Sequence, residues 1–200
     1  MPKLLLHTCC APCLSSVEEQ LRAGYSIDVF WYNPNIYPAD EYNRRLDELR
    51  RFGGILGREI IVHEEPEDHN NWHSVTVDYA NEPEGQRRCG FCIRFRLEKT
   101  VQVAARENYD IFTTTLSVSP HKNATVINQI GKELAESYSV PYLEADFKKN
   151  DGYLRSVELA KYYGLYRQPY CGCIYSMNET LARALAKKAP AGAGAAAREG

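Results

Sequence analysis

The sequence predicts an α/β protein: a single domain with a mainly parallel sheet and helices on both faces. Three observations carry this. Short apolar runs of strand length alternate with longer amphipathic stretches in the order strand, helix, strand, repeated. The chain has 200 residues with a 44% hydrophobic share, enough for one sizeable core. Cysteines crowd the end of the first apolar run, and ligands of such sheets bind beyond the carboxyl ends of the strands.

Taken in order, Leu4 to His7 is an apolar run of strand length, and Leu14 to Ala23 follows with Leu14, Val17 and Leu21 at helical spacing. Ile27 to Tyr32 is the second strand. Ala39 to Phe52 repeats apolar residues at Leu46 and Leu49 and so reads as a helix; Glu59 to His63 is again strand-like, centred on two isoleucines and a valine. Ile93 to Glu107 is helical through Ile93, Leu97, Val101 and Ala104. Ile111 to Thr115 is rich in β-branched residues, Ala124 to Ser137 repeats Ile127, Ile130 and Leu134, and Pro141 to Glu144 is a short last strand before the helix Tyr153 to Tyr163. Beyond Lys188 the composition collapses to APAGAGAAAREG, which has no periodic face to bury. Residues 1–188 are therefore expected to form the domain and 189–200 a disordered tail.

No apolar run approaches the ~20 residues that span a bilayer, and the start lacks the pattern of a secretory signal. Cytoplasm is the expected compartment. A reducing compartment argues against a disulfide framework, and seven cysteines cannot all pair. Metal or redox chemistry is the better account. The formal charge of -2 gives no global basic signal for a nucleic-acid partner.

The cysteines form three groups: HTCCAPC with Cys9, Cys10 and Cys13, RCGFC with Cys89 and Cys92, and YCGCIYS with Cys171 and Cys173. The second and third groups are expected in loops. A C-x-x-C pair lets two thiolates reach one metal from a tight turn, whereas core cysteines usually stand singly inside a periodic pattern. Four thiolates suit tetrahedral zinc and an iron-sulfur cluster alike. Seven exceed either need, leaving thiols for a second metal ion, iron or zinc, or for redox work; a single zinc clip with spare buried cysteines is the plainer alternative. Adjacent side chains diverge, so Cys9 and Cys10 are expected to serve separate centres.

Several segments resemble the cobalamin-independent epoxyqueuosine reductases of the QueH type: HTCCAPC, NPNIYPADEYNRR, RCGFCIRFRLEKT, TTLSVSPHKN, IGKELA and ADFKKNDGYLRSVELAKYYGLYRQPYCGCIYS, in that order, from Lys3 to about Ser176. The resemblance implies a cytoplasmic enzyme with a [4Fe-4S] cluster, which reduces epoxyqueuosine to queuosine in a tRNA with a GUN anticodon. An electron donor, a reduced flavin or a ferredoxin-like protein, is implied too. It also implies the fold of the adenine nucleotide alpha hydrolase (HUP-like) group. ATP-using members of that group carry a Ser/Gly-rich phosphate loop after the first strand, whereas HTCCAPC has no glycine and Pro12 removes a backbone N–H. ATP use is therefore not expected. An ATP-dependent RNA-modification enzyme and a zinc-binding module of the same fold are the alternatives.

All seven cysteines are candidate metal ligands. Cys13 stands where cysteine and aspartate both occur in the family, which suits a weaker ligand or a second metal; it also stands where a buried bystander would start the first helix. His121, Tyr153 and Tyr170 are candidate proton donors. His7, ending a buried strand, reads as structural. Arg87, Arg88, Lys122, Asn123, Lys148, Arg155 and Arg167 adjoin the predicted metal loops or strand ends and are candidate tRNA-binding residues, with tyrosines nearby to stack an extruded base. The arginines of RRLDELRR read instead as partners of neighbouring acids.

Overall fold

A computed structural model describes residues 1–188; the tail expected to be disordered, 189–200, lies outside the described residues. Four strands, β1 (Lys3–His7), β2 (Ser26–Trp31), β3 (Ile60–Val62) and β4 (Ile111–Thr114), pair in the order β3-β2-β1-β4, every pair parallel. Among the described residues seven α-helices accompany them: α1 (Ala11–Leu21), α2 (Ala39–Leu56), α3 (Asp68–Ser74), α4 (Arg87–Arg106), α5 (Ala124–Tyr138), α6 (Gly152–Tyr162) and α7 (Ile174–Lys188).

The unbroken apolar run of β1 is what a strand covered on both faces requires, since successive side chains point to opposite sides. Leu4 and Leu6 enter one core with Val17 of α1, Leu49 of α2 and Ala160 of α6. Leu5 enters the other with Leu97 of α4 and Ile127 of α5. Helices thus cover both faces, as the alternation predicts. The sheet grows outward in opposite directions from β1 and β4, and the crevice beyond the carboxyl ends of these two strands is where such sheets place ligands.

The expected fifth strand shrinks to a single parallel bridge between Phe112 and Tyr142, flanked by Phe112 N–H to Pro141 O at 3.0 Å and Leu143 N–H to Phe112 O at 2.9 Å. Pro141 brings no donor to the ladder, so pairing does not extend. Tyr142 nonetheless seals the edge, with its ring lying over Gly131 of α5. A Cβ at position 131 would meet ring carbons at 2.5 Å. Gly131→Ala is therefore expected to cost about 1–3 kcal/mol through overpacking; a urea midpoint equal to that of the parent chain would refute this packing.

Helix boundaries depart from the pattern where polar starts hide them. α1 begins three residues earlier than its apolar spacing suggests, because the Cys10 sulfur accepts the Cys13 N–H at 3.2 Å and Pro12 suits a first turn. α4 begins at Arg87 rather than Ile93. No helix is expected from the sequence at the short, polar α3 or at the α7 that follows Cys173; Ile174, Met177, Leu181 and Leu185 stand at helical spacing on α7, yet Leu181 and Leu185 are left exposed. No helix among the described residues is long and apolar enough to cross a membrane.

Candidate metal centre

The first cysteine group leaves β1 directly into the crevice. Thr8 N–H bonds Phe30 O at 2.8 Å and Asn33 Nδ2 bonds Thr8 O at 2.9 Å, which pins the exit of the strand. Cys10, extended, caps α1, and Cys13 lies one turn into the helix. The three sulfurs lie within 4.8 Å of one another, with Cys9 Sγ 3.8 Å from Cys13 Sγ. The expected divergence of Cys9 and Cys10 is thereby corrected, because the strand-to-helix bend folds both side chains to one side. Cys10 and Cys13 are joined as a disulfide, against the expectation of free thiols throughout; cap and first-turn positions bring their Cα atoms to 5.4 Å, within disulfide reach. The other five cysteines are free, and reduction of the pair would leave three thiols that can share one metal ion.

The second group is not in a loop. Cys89 and Cys92 occupy the first turns of α4, where three-residue spacing puts both on one face. Trp72 of α3 packs against Cys92 and Cys173. The third group, just ahead of α7, is held by Arg45 of α2. This arginine is 1% exposed, forms an ion pair with Glu41 at 2.6 Å, and donates to Cys171 O at 3.0 Å and Tyr170 O at 3.2 Å. Gly172 has φ 135°, and a Cβ there would meet Arg45 Nη1 at 3.0 Å, so only glycine suits this loop.

Two cavities converge at the crevice. Cys9, Cys13 and Cys171 line one of about 260 Å³, and Cys89, Cys92, Cys171 and Cys173 line a smaller one beside it. Cys171 is common to both, and Lys122 donates to its sulfur at 3.0 Å. Burial pushes the Cys173 thiol up to about 11 and raises that of Cys89, with neighbouring cysteines acting in the same direction. Crowded thiols of this kind resist ionising together unless a cation joins them, which a metal supplies. A soft sulfur set from three chain segments fits zinc or iron-sulfur.

Of the other predicted residues, Tyr153, Tyr170 and Arg167 line the larger cavity, Arg88 and Asn123 the smaller, and His121 and Lys122 both. The Tyr170 hydroxyl donates to Tyr37 O. Asn123 caps α5. Arg88 is 2% exposed and holds Ala80 O at 2.9 Å, Glu82 O and the Glu179 carboxylate at 3.1 Å, bracing the approach to α4. Arg87 points outward, paired with Glu82 and stacked on Tyr79. Lys148 binds Asp146 at 2.9 Å and Lys122 O at 3.3 Å. Arg155 lines neither cavity and is taken up by Glu19 at 2.8 Å and Glu158 at 3.1 Å. On α2, Arg50 and Arg51 pair with Asp47 and Glu48 as expected. Read from the sequence, Arg45 and Arg96 count only among the basic residues a tRNA could meet; the structure buries both, Arg45 anchoring the third loop and Arg96 lining both cavities. Only the four-residue step from Cys92 to Arg96 pointed to the latter.

His7 is structural: wholly buried, with Nδ1 2.8 Å from Thr114 Oγ1 and Nε2 3.2 Å from Tyr32 O. Burial first, then the positive charge of Arg96, hold its pKa at about 3 against 6.5 in an unfolded chain. Below pH 6.5 the unfolded chain takes up a proton that the folded one refuses. Stability present above pH 6.5 is therefore expected to drain toward pH 3 at up to about 1.4 kcal/mol per pH unit from this group. Urea midpoints across that window check it, with a His7→Gln variant expected to show a shallower slope; equal slopes would refute the assignment.

Fold and site together define a class: a doubly wound α/β domain that presents a cysteine-built site, able to hold metal, at its switch point. Residues 4–179 match the family model for epoxyqueuosine reductase QueH. The chain is 40% identical over 179 residues to the epoxyqueuosine reductase QueH of Streptococcus pyogenes serotype M1, covering 88% of this chain and 70% of that one. It is 37% identical over 180 residues to that of Thermotoga maritima, with 90% and 92% covered, and 37% identical over 179 residues to that of Dehalococcoides mccartyi, with 89% and 94% covered. The chain belongs to the epoxyqueuosine reductase QueH family. A solved structure, the predicted subunit of a tRNA methyltransferase from Methanocaldococcus jannaschii, matches 79% of this chain and 74% of its own at 16% identity and a TM-score of 0.48, too distant a likeness to inform the site.

Proposed function

We propose that this protein reduces epoxyqueuosine to queuosine in a tRNA with a GUN anticodon, the last step of queuosine formation, and that it does so in the cytoplasm with a [4Fe-4S] cluster. The observation that carries this reading is the convergence of all three cysteine groups beside a cavity of about 260 Å³. Cys89, Cys92, Cys171 and Cys173 are the cluster ligands, and Cys9, Cys10 and Cys13, once reduced, hold a second ion, iron or zinc. When bound, the cluster supplies electrons one at a time and the second ion a Lewis acid.

The reaction breaks both C–O bonds of the epoxide, forms an alkene and releases water, consuming two electrons and two protons. The larger cavity receives the modified base. Arg167 lies 6.0 Å over the Tyr153 ring, a platform on which a base can stack, and its charge favours the neighbouring phosphates. His121, exposed at the rim of both cavities, is placed to give a proton to the departing oxygen from a ring nitrogen. Tyr170 is the poorer donor, since burial pushes its hydroxyl up to about 12 and Tyr37 O already occupies it. Lys122 and Asn123 orient the substrate edge. Electrons come from a reduced flavin or a ferredoxin-like protein.

Iron, acid-labile sulfide and zinc content of anaerobically purified protein, followed by mass spectrometry of epoxyqueuosine tRNA incubated with it and dithionite, tests the reading. About four irons and four sulfides per chain with loss of one oxygen from the nucleoside support it. Zinc without sulfide, persisting after reconstitution with iron and sulfide, would sink it. His121→Ala is expected to slow single-turnover conversion by about 100-fold or more while leaving the iron content unchanged.

A further inference from the structure

The two cavities share more than Cys171. Arg96 of α4 lines both, is 2% exposed, and makes one side-chain hydrogen bond, from Nε to Cys92 O at 3.1 Å. None of the ion pairs among the described residues involves it, although every other buried arginine has a carboxylate: Arg45 has Glu41 and Arg88 has Glu179. A buried guanidinium cannot shed its proton and is costly without a counter-charge. The foremost groups of opposite potential charge around Arg96 are sulfurs, Cys92 and Cys171 first, then Cys9 and Cys89; the Glu84 carboxylate also lines both cavities but forms no ion pair with it. Lys122 adds a second cation on the same side, bonded to Cys171 Sγ.

We infer that Arg96 is a positioning residue for the metal centre: its fixed charge is the internal counter-ion of the thiolates on both sides, and it raises the reduction potential of what they hold. The inference rests on the cluster reading above. The physics is direct. A cluster held by four thiolates carries net negative charge and gains another unit on reduction, so a permanent cation beside the sulfurs favours the reduced form. The charge acts through the interior, where it is weakly screened, and the hydrogen bond to Cys92 O fixes its distance from the α4 ligands. Two metal sites that share one counter-ion are also coupled, since the same charge must serve both.

Arg96→Gln and Arg96→Lys, reconstituted anaerobically with iron and sulfide beside the parent chain, are compared by spectroscopically monitored redox titration. Arg96→Gln is expected to need at least a tenfold larger driving ratio for half-reduction, a midpoint about 59 mV more negative for one electron. Arg96→Lys, which keeps the charge, should stay near the parent value. A Gln variant with parental iron and sulfide and an unmoved midpoint would overturn the inference alone. If the Gln variant does not load, a Lys variant that loads at the parental midpoint supports the charge role, and one that also fails to load, or loads with a shifted midpoint, overturns it in favour of packing. A parent chain without sulfide removes the cluster reading and this inference with it, a failure distinct from either variant result.

Discussion

Cys171→Ser is expected to abolish conversion of epoxyqueuosine tRNA, by more than about 100-fold, and to strip iron from the protein, because no other cysteine serves both cavities. Disturbing groups that merely orient metal ligands typically costs 10–100-fold, and this change removes a sulfur itself. It also leaves Lys122 without its thiolate acceptor at 3.0 Å. Serine is smaller and harder as a ligand, yet it conserves the loop, so the metal-free chain should lose only about 1 kcal/mol. Iron and sulfide analysis beside a urea titration separates the two effects. Full iron retention by Cys171→Ser would show that the smaller cavity does not hold the cluster. Cys13→Ser, at a position suited to a second ion, is expected to keep the cluster and lose that ion.

Arg45→Ala should produce the largest loss of stability at a position with no metal-ligand role, about 3–5 kcal/mol, because it leaves the buried Glu41 charge unpaired. The same change frees the carbonyls of Tyr170 and Cys171, so iron retention should fall along with the denaturation midpoint. Glu41 keeps the Tyr166 hydroxyl at 2.9 Å, which offsets only part of the loss. Arg45→Lys should recover the ion pair but not the two-pronged grip on the loop, restoring stability more than iron content. An Arg45→Ala protein with the parental midpoint would show that the pair is dispensable; one that is destabilised but fully loaded would show that α2 does not position Cys171.

The loss of pairing at Pro141 and the early start of α4 show where reading the chain stops. Periodicity reports burial, and burial is strong along β1, β2, α2 and α5, so these elements are legible from residue order alone. Helix starts such as Arg87–Cys92 carry polar and sulfur side chains whose burial is created by neighbours, here Trp72 and the Cys173 loop. Local pattern therefore reads them as loop. The same division runs through the site. Three cysteine groups at strand ends and beyond, with a glycine-free first loop, already indicate a thiolate site in an α/β domain, since thiols so placed have little other use. Their sequence separation hides which groups share a cavity. Only packing brings Cys9 and Cys171 to one opening, turns Arg155 away to Glu19, and leaves Arg96 among sulfurs with no ion-paired carboxylate. Residue type and chain order determine the chemistry available, because they set which atoms can bind metal. Distance and charge balance arise between segments far apart in the chain, and no local spacing encodes them.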